Sequence, residues 1–301
     1  VDIHLFQRSS QHLETTMPDR DLRTALEHAA DLIAQADALI VAAGAGMGVD
    51  SGLPDFRGND GFWRAYPALG RRGINFTQAA NPKTFTADPA LAWGFYGHRL
   101  QLYRHTVPHA GFDILRRWGE AMLHGAWVFT SNVDGQFQRA GFPADRVAEC
   151  HGSIHHLQCL APCTNDIWSA DTFGPAVDTE ACALKNEPPT CPRCGSIARP
   201  NILMFGDGAW VEKRSEAQEA RLAAWLAMAE RPVVVELGAG TAIPSVRHFS
   251  QRMIHTHGAR LVRINPAEFS VPTRLDVGLP LGALAGVTSI DAIQGGSPQP
   301  A

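Results

Sequence analysis

The segment Ala38–Ala43 (ALIVAA) is short, continuously apolar and runs directly into Gly44-Ala45-Gly46. An apolar run of this length reads as a buried strand, the kind found in a sheet covered on both faces by helices. Glycines at its carboxyl end let backbone N–H groups approach a pyrophosphate with no Cβ in the way, the order that a dinucleotide-binding βα turn requires. Taken alone, such glycines serve a plain tight turn equally well.

The surrounding pattern extends the strand into a fold. Ahead of it, residues 20–37 place Leu22, Ala25, Leu26, Ala29, Leu32 and Ile33 on one face, which predicts an amphipathic helix. Apolar strands of the same kind recur at Ala126–Thr130, Pro232–Leu237 and Arg260–Ile264, each followed by small or polar residues. This alternation predicts an α/β, Rossmann-like, doubly wound parallel sheet. In open parallel sheets ligands sit beyond the carboxyl ends of the strands, so four loops converge on one crevice.

With 301 residues, 45% of them hydrophobic, the chain suffices for one large domain and a smaller one. Residues 20–57, 109–151 and 201–293 are assigned to the large domain. Residues 58–108, aromatic-rich and helical by pattern, and 152–200, holding five of the six cysteines, form the small one. Residues 1–19 read as a flexible N-terminal extension and 294–301 as a frayed tail. Charges of both signs are scattered and the net charge is -4, which predicts no nucleic-acid partner. No apolar run approaches the roughly 20 residues that span a bilayer, and Val1–Arg20 is too polar for a signal peptide, so no membrane partner and a cytoplasmic location are expected.

All six cysteines lie between Cys150 and Cys194, a clustering that favours a metal site over a disulfide framework. Cys159 with Cys163, and Cys191 with Cys194, each supply two corners of a tetrahedron. Four thiolates with no open position describe one structural zinc ion in a zinc ribbon. Cys182 reads as a solvent-side or semi-buried thiol and Cys150 as a small core residue. His155 and His156 read as surface or cleft-wall residues rather than ligands.

Further motifs follow in order. Gly44-Ala45-Gly46-Met47-Gly48 leads into Asp55-Phe56-Arg57-Gly58, then come Thr130-Ser131-Asn132-Val133-Asp134-Gly135, Arg139-Ala140-Gly141 and Glu149-Cys150-His151-Gly152-Ser153. Arg199-Pro200, Phe205-Gly206-Asp207 and Ile264-Asn265 complete the series. Together these resemble the sirtuin family of NAD-dependent protein-lysine deacylases, from about Leu22 to about Ile293.

The resemblance implies that NAD is held by Gly44, Ala45, Gly46, Asp55, Phe56, Arg57, Ser131, Asn132, Asp134, Gly238, Ala239, Gly240, Thr241 and Asn265. It implies that Asn132 and Asp134 orient the carboxamide and ribose so that the acyl oxygen attacks the ribose carbon as nicotinamide leaves. His151, neutral near pH 7, then takes a proton from a ribose hydroxyl so that the acyl group transfers, releasing O-acyl-ADP-ribose. Such general-base help is worth about 10²–10⁴-fold. Phe205 and Gly206 would line the cleft for an acyl-lysine protein or peptide. Tyr96 and Arg99, three apart on an expected helix, are similar in spacing to a Tyr-x-x-Arg pair of the sirtuin class handling succinyl- and malonyl-lysine, where both bind the acyl carboxylate.

The chain also departs from the family. Gly48 stands where Ser is usual, Ser131 where Gln is usual, and Gly238-Ala239-Gly240, with Thr241 one place later, replaces Gly-Thr-Ser. At roughly 0.5–1.5 kcal/mol per neutral hydrogen bond, weaker NAD binding without loss of fold is expected. Two other functions stay open: an ADP-ribosyltransferase or NAD hydrolase on the same scaffold, and a catalytically silent NAD-sensing or interaction module.

Overall fold

The computed structural model describes residues 18–55 and 58–295, with side chains omitted at 58–60. The predicted N-terminal extension up to residue 17, Phe56, Arg57 and the tail from residue 296 lie outside the described residues.

The large domain opens with α1 (Asp19–Ala34), which feeds β1 (Ala38–Ala43). The helix stops three residues short of the expected Asp37. That carboxylate instead accepts the backbone N–H groups of Glu230 and Arg231, pinning the start of β1 to the loop before its neighbouring strand. After β1 the chain makes a 3-10 turn over Ala45–Ser51 and enters the helical insertion: α2 (Gly58–Ala65), α3 (Pro67–Arg71), α4 (Phe76–Ala79), α5 (Pro82–Ala87) and α6 (Pro89–His105). Helix α6 starts sharply because Asp88 caps the Leu91 N–H and Pro89 occupies the first turn, where its missing N–H costs nothing.

The chain returns to the large domain with α7 (Ala110–Glu120), β2 (Ala126–Thr130), α8 (Gln136–Arg139) and β3 (Val147–Glu149). The second insertion contains β4 (Gly152–Cys159), β5 (Trp168–Ser169), β6 (Val177–Asp178), β7 (Ala183–Leu184) and β8 (Ala198–Ile202). Strands α/β alternate again to the end: α9 (Lys213–Leu226), β9 (Pro232–Leu237), α10 (Ser245–His257), β10 (Arg260–Ile264), β11 (Val277–Leu279) and α11 (Ala283–Ile293).

Among the described residues the main sheet has six parallel strands in the order β11-β10-β9-β1-β2-β3. The order reverses beside β1, which puts the crevice of a doubly wound sheet at the ends of β1, β2 and β9. One face packs on α1, α7 and α11 through Ile33, Leu115 and Val287; the other packs on α9 and α10 through Trp225, Val246 and Phe249. Every residue of β1 and β9 is buried, so both strands read as unbroken apolar runs except for Glu236, whose carboxylate is held by Arg263 of β10 at 2.6 Å.

The small domain has its own aromatic core, built on Phe62, Phe85, Trp93, Phe95 and Tyr96. Its three-stranded sheet, β5-β4-β8, is antiparallel, and β8 crosses the expected 200/201 division between domains. Cys182 corrects the sequence expectation: it is buried at 3% exposure, with φ 51°, because its carbonyl is pressed against α6 where a Cβ on Gly94 would lie 2.2 Å away. Among the described residues no helix is long and apolar enough to cross a membrane.

Candidate active site

The turn after β1 and the loop after β9 meet backbone to backbone. Gly44 N–H donates to Leu237 and Gly46 N–H to Gly238, and a Cβ on Gly46 would sit 2.6 Å from the Gly238 Cα. Gly238 itself has φ 58°, and a Cβ there would strike Gly46 at 2.4 Å. Gly44, Gly46 and Gly238 are therefore required by one another before any ligand arrives. Gly240 is open, with only the Glu268 carboxylate within reach of a Cβ, at 3.9 Å. The crevice floor is thus closely packed backbone, with Ala45 and Gly240 exposed at its surface, which fits the phosphates of a dinucleotide.

The remaining loop residues brace this floor. Asn132 donates its amide to the Gly44 carbonyl at 3.0 Å, and Ser131 N–H bonds the Ala43 carbonyl, tying the end of β2 to the turn. Asn265, 3% exposed, donates to Ala239 and accepts from the N–H groups of Ala267 and Glu268. Its side chain holds two loops together. Thr241 is exposed and donates to Glu268 at 2.8 Å. Asp55 is half-buried at the far end of the turn.

Asp134 is buried beneath β2, where its Oδ1 accepts the Gln136 N–H. Burial pushes its carboxyl up to about 6, aided by the negative Glu149 and opposed by the Gln136 bond and by Arg99. His155 bonds the Asp134 carbonyl through Nε2 at 2.9 Å, so it is a cleft-wall support.

His151 occupies the corner between β3 and β4. Gly152 makes that corner possible with φ 78°, since a Cβ there would lie 2.0 Å from the Asn201 carbonyl. The imidazole is half-buried, which lowers its pKa from the ordinary value, while a bond to the Ser131 backbone pulls weakly the other way. The shift favours the neutral ring. Its Nε2 lies 3.0 Å from Ser245 Oγ, on the first turn of α10.

Tyr96 and Arg99 come together on α6. The guanidinium lies over the rings of Phe95, Tyr96 and Tyr103 at 5.2, 5.6 and 5.4 Å, and its Nε donates to the Tyr103 hydroxyl at 3.0 Å. Tyr96 stacks on Phe85, and burial pushes its hydroxyl pKa up to about 12. Phe205 is 36% exposed, with its ring edge against Phe76, and Gly206 turns the chain at φ 65°.

The four sulfurs of Cys159, Cys163, Cys191 and Cys194 all lie within 4.8 Å of one another. Cys159 and Cys194 are 3.7 Å apart, and Cys163 and Cys191 3.6 Å. A tetrahedron with Zn–S bonds of about 2.3 Å has edges of about 3.8 Å, so the donor set fits one zinc ion.

A model of the Sir2 family matches residues 44–229. The chain belongs to the Sir2 family. It is 29% identical over 240 residues to a protein named NAD-dependent protein deacylase from Aquifex aeolicus, covering 79% of this chain and 87% of that one. It is 31% identical over 249 residues to NAD-dependent protein deacylase 2 from Pyrobaculum aerophilum, covering 82% and 87%. Among solved structures, a Sir2 homolog–NAD complex superposes with a TM-score of 0.64 at 23% identity, covering 89% of this chain and 94% of that one. That likeness is one of fold.

Within this Sir2 chain, sequence reasoning passed over Ser245. Ser245 opens α10 directly after Pro244 and carries no motif signal. Arg199 and Asp207 belong to motifs that the resemblance places along the peptide cleft, but their side chains are wholly buried against each other.

Proposed function

We propose that this protein is an NAD-dependent protein-lysine deacylase with His151 as its general base. The observation that carries this reading is the half-buried imidazole at the β3–β4 corner, set at the same carboxyl end of the sheet as Asn132, Asp134 and the glycine floor. When bound, NAD supplies the ribose carbon that takes the acyl oxygen as nicotinamide leaves, and the ribose hydroxyl that finally carries the acyl group.

The chain's own residues do the positioning. Gly44, Ala45, Gly46, Gly238, Ala239 and Gly240 hold the phosphates, with Thr241 and Asn265 at the adenosine end. Asn132 and Asp134 orient the carboxamide and ribose, assisted by Ser131. Asp55 shapes the nicotinamide side, a role the family resemblance extends to Phe56 and Arg57, which lie outside the described residues. His151 accepts the ribose proton, which its lowered pKa permits at neutral pH. Phe205 and Gly206 bear the acyl-lysine peptide. Cys159, Cys163, Cys191 and Cys194 hold a zinc ion that supplies folding free energy to the small domain and no chemistry. A reducing, cytoplasmic setting belongs to the same proposal, because the four thiols must stay reduced.

The finer reading is an acidic acyl chain, succinyl or malonyl, bound by Tyr96 and Arg99. Its support is the Arg99 guanidinium lying over the Tyr96 ring on α6, 5.6 Å from its centroid. The test is a panel of acetyl-, succinyl-, malonyl- and longer acyl-lysine peptides incubated with NAD and read by mass spectrometry. O-acyl-ADP-ribose together with free nicotinamide is the expected outcome. Free ADP-ribose or an ADP-ribosylated protein would instead mark a hydrolase or transferase, and no nicotinamide release with any peptide would mark a silent module.

A further inference from the structure

His151 has two ring nitrogens, and one of them, Nε2, already has a hydroxyl neighbour. The His151 ring bonds the Ser131 backbone, and its Nε2 lies 3.0 Å from Ser245 Oγ. Both partners stand on rigid supports. The His151 carbonyl accepts the Leu203 N–H at 2.9 Å, and Gly152 locks the corner beside it. Ser245 opens α10 directly after Pro244, and the next residue, Val246, is packed into the core under the main sheet at 1% exposure. Ser245 and His151 are each half-buried, so the pair lies at the crevice wall rather than inside the core.

This geometry restricts how a hydroxyl can reach Nε2. It must displace Ser245 or act through it. A serine hydroxyl both donates and accepts, so it can give its proton to a neighbouring nitrogen while taking one from another hydroxyl. Displacement would forfeit an existing hydrogen bond at the moment the base is needed, whereas passage through Ser245 keeps it.

We propose that Ser245 is a catalytic proton relay: its Oγ accepts the ribose hydroxyl proton as it donates its own proton to His151 Nε2. One O–H bond of the ribose breaks, one N–H bond forms on the imidazole, and the serine ends as it began. The net transfer is one proton, with no oxidant or further reactant. The proposal rests on the reading of His151 as the base, and it assigns Ser245 to the acyl-transfer half of the reaction only, since release of nicotinamide needs no base.

The test compares wild type, Ser245→Ala, Ser245→Thr and His151→Gln, with nicotinamide release and O-acyl-ADP-ribose formation measured separately in single turnovers. A relay predicts that Ser245→Ala keeps nicotinamide release and NAD affinity within about 2-fold while acyl transfer slows by about 10- to 100-fold, a part of the usual general-base contribution. Ser245→Thr, which restores a hydroxyl, should recover to within about 3-fold of wild type. Acyl transfer in mixed H₂O and D₂O should show two protons in flight in wild type and one in Ser245→Ala. Transfer in Ser245→Ala at or above the wild-type rate would mean the hydroxyl is displaced, and overturns the relay. Equal loss of both half-reactions would place Ser245 in the NAD crevice or the fold, and also overturns it. If His151→Gln retains transfer, the base reading fails and the relay with it; loss in His151→Gln beside full activity in Ser245→Ala sinks the relay alone.

Discussion

Arg199 and Asp207 face each other through two parallel hydrogen bonds, Nη1 to Oδ2 at 2.7 Å and Nη2 to Oδ1 at 2.9 Å, with both side chains at 0% exposure. The Asp207 carboxylate also accepts the N–H groups of Met204 and Ala209, so it staples the turn that presents Phe205 and Gly206. Removing one member leaves the other as a buried, uncompensated charge, which typically costs about 3–5 kcal/mol. Asp207→Ala should therefore lose about that much stability in urea unfolding, with KM for the acyl peptide rising more than KM for NAD. An Asp207→Ala protein of unchanged stability would show that the pair contributes little.

The zinc prediction follows from the sulfur cluster. Purified protein should contain one zinc ion per chain, and Cys191→Ser should lower the zinc content and the thermal midpoint together. Cys191 is buried at 2% exposure, so no solvent ligand easily replaces its sulfur. Chelation should loosen the small domain first, seen as faster proteolysis within residues 152–200, with activity falling as a consequence. Metal analysis showing no zinc, or a Cys191→Ser protein as stable as wild type, would refute the site.

Asp134 gives the enzyme a pH signature. Its folded pKa, about 6, lies above the ordinary carboxyl value of 3.8, so the folded state favours the protonated form. The resulting stability is fully present below about pH 4 and is lost as pH rises through 6, a change on the order of 3 kcal/mol. Asp134→Asn removes that dependence while it can keep the bond to the Gln136 N–H. Its stability relative to wild type should rise between pH 4 and 7, and a difference independent of pH would contradict the assignment. For kcat/KM, the acid limb should fall near pH 6, because Asp134 must ionise to serve the ribose and His151 titrates below its ordinary value.

How far this was legible in the sequence depends on length and burial. Strands β1, β2, β9 and β10 are continuous apolar runs and stand where the pattern put them. Strands β3 and β11 have three residues each, too few to show a period, and β3 ends in Glu149, a buried carboxylate paired with Arg214 at 2.5 Å. The cysteine spacings announced a four-sulfur cluster because both pairs are local. Burial of Cys182 was not legible, since it depends on the close approach of Gly94 from a distant helix. Likewise, the packing of Gly46 against Gly238 joins loops nearly two hundred residues apart in the chain, and no local rule separates such a glycine from one that only admits a ligand. Ser245 reaches His151 from 94 positions further along the chain, again beyond any local rule.

The acyl-pocket prediction combines two readouts. Arg99 is 7% exposed, caged by Phe95, Tyr96 and Tyr103, and its charge holds down the pKa of Asp134. A succinyl or malonyl carboxylate reaching this helix face would gain a charge-assisted bond from Arg99, worth roughly 1.5–3 kcal/mol, or about 10- to 150-fold in specificity. Arg99→Met keeps an unbranched stem against the rings but removes the charge. Preference for acidic acyl chains should collapse by that factor while acetyl-lysine turnover persists. Independently of any substrate, loss of the positive charge should raise the Asp134 pKa further, moving the acid limb of kcat/KM above 6. If both acyl classes lose activity equally and the acid limb stays in place, Arg99 serves the packing of α6. If the limb moves but the acyl preference does not, Arg99 tunes Asp134 and the carboxylate is bound elsewhere.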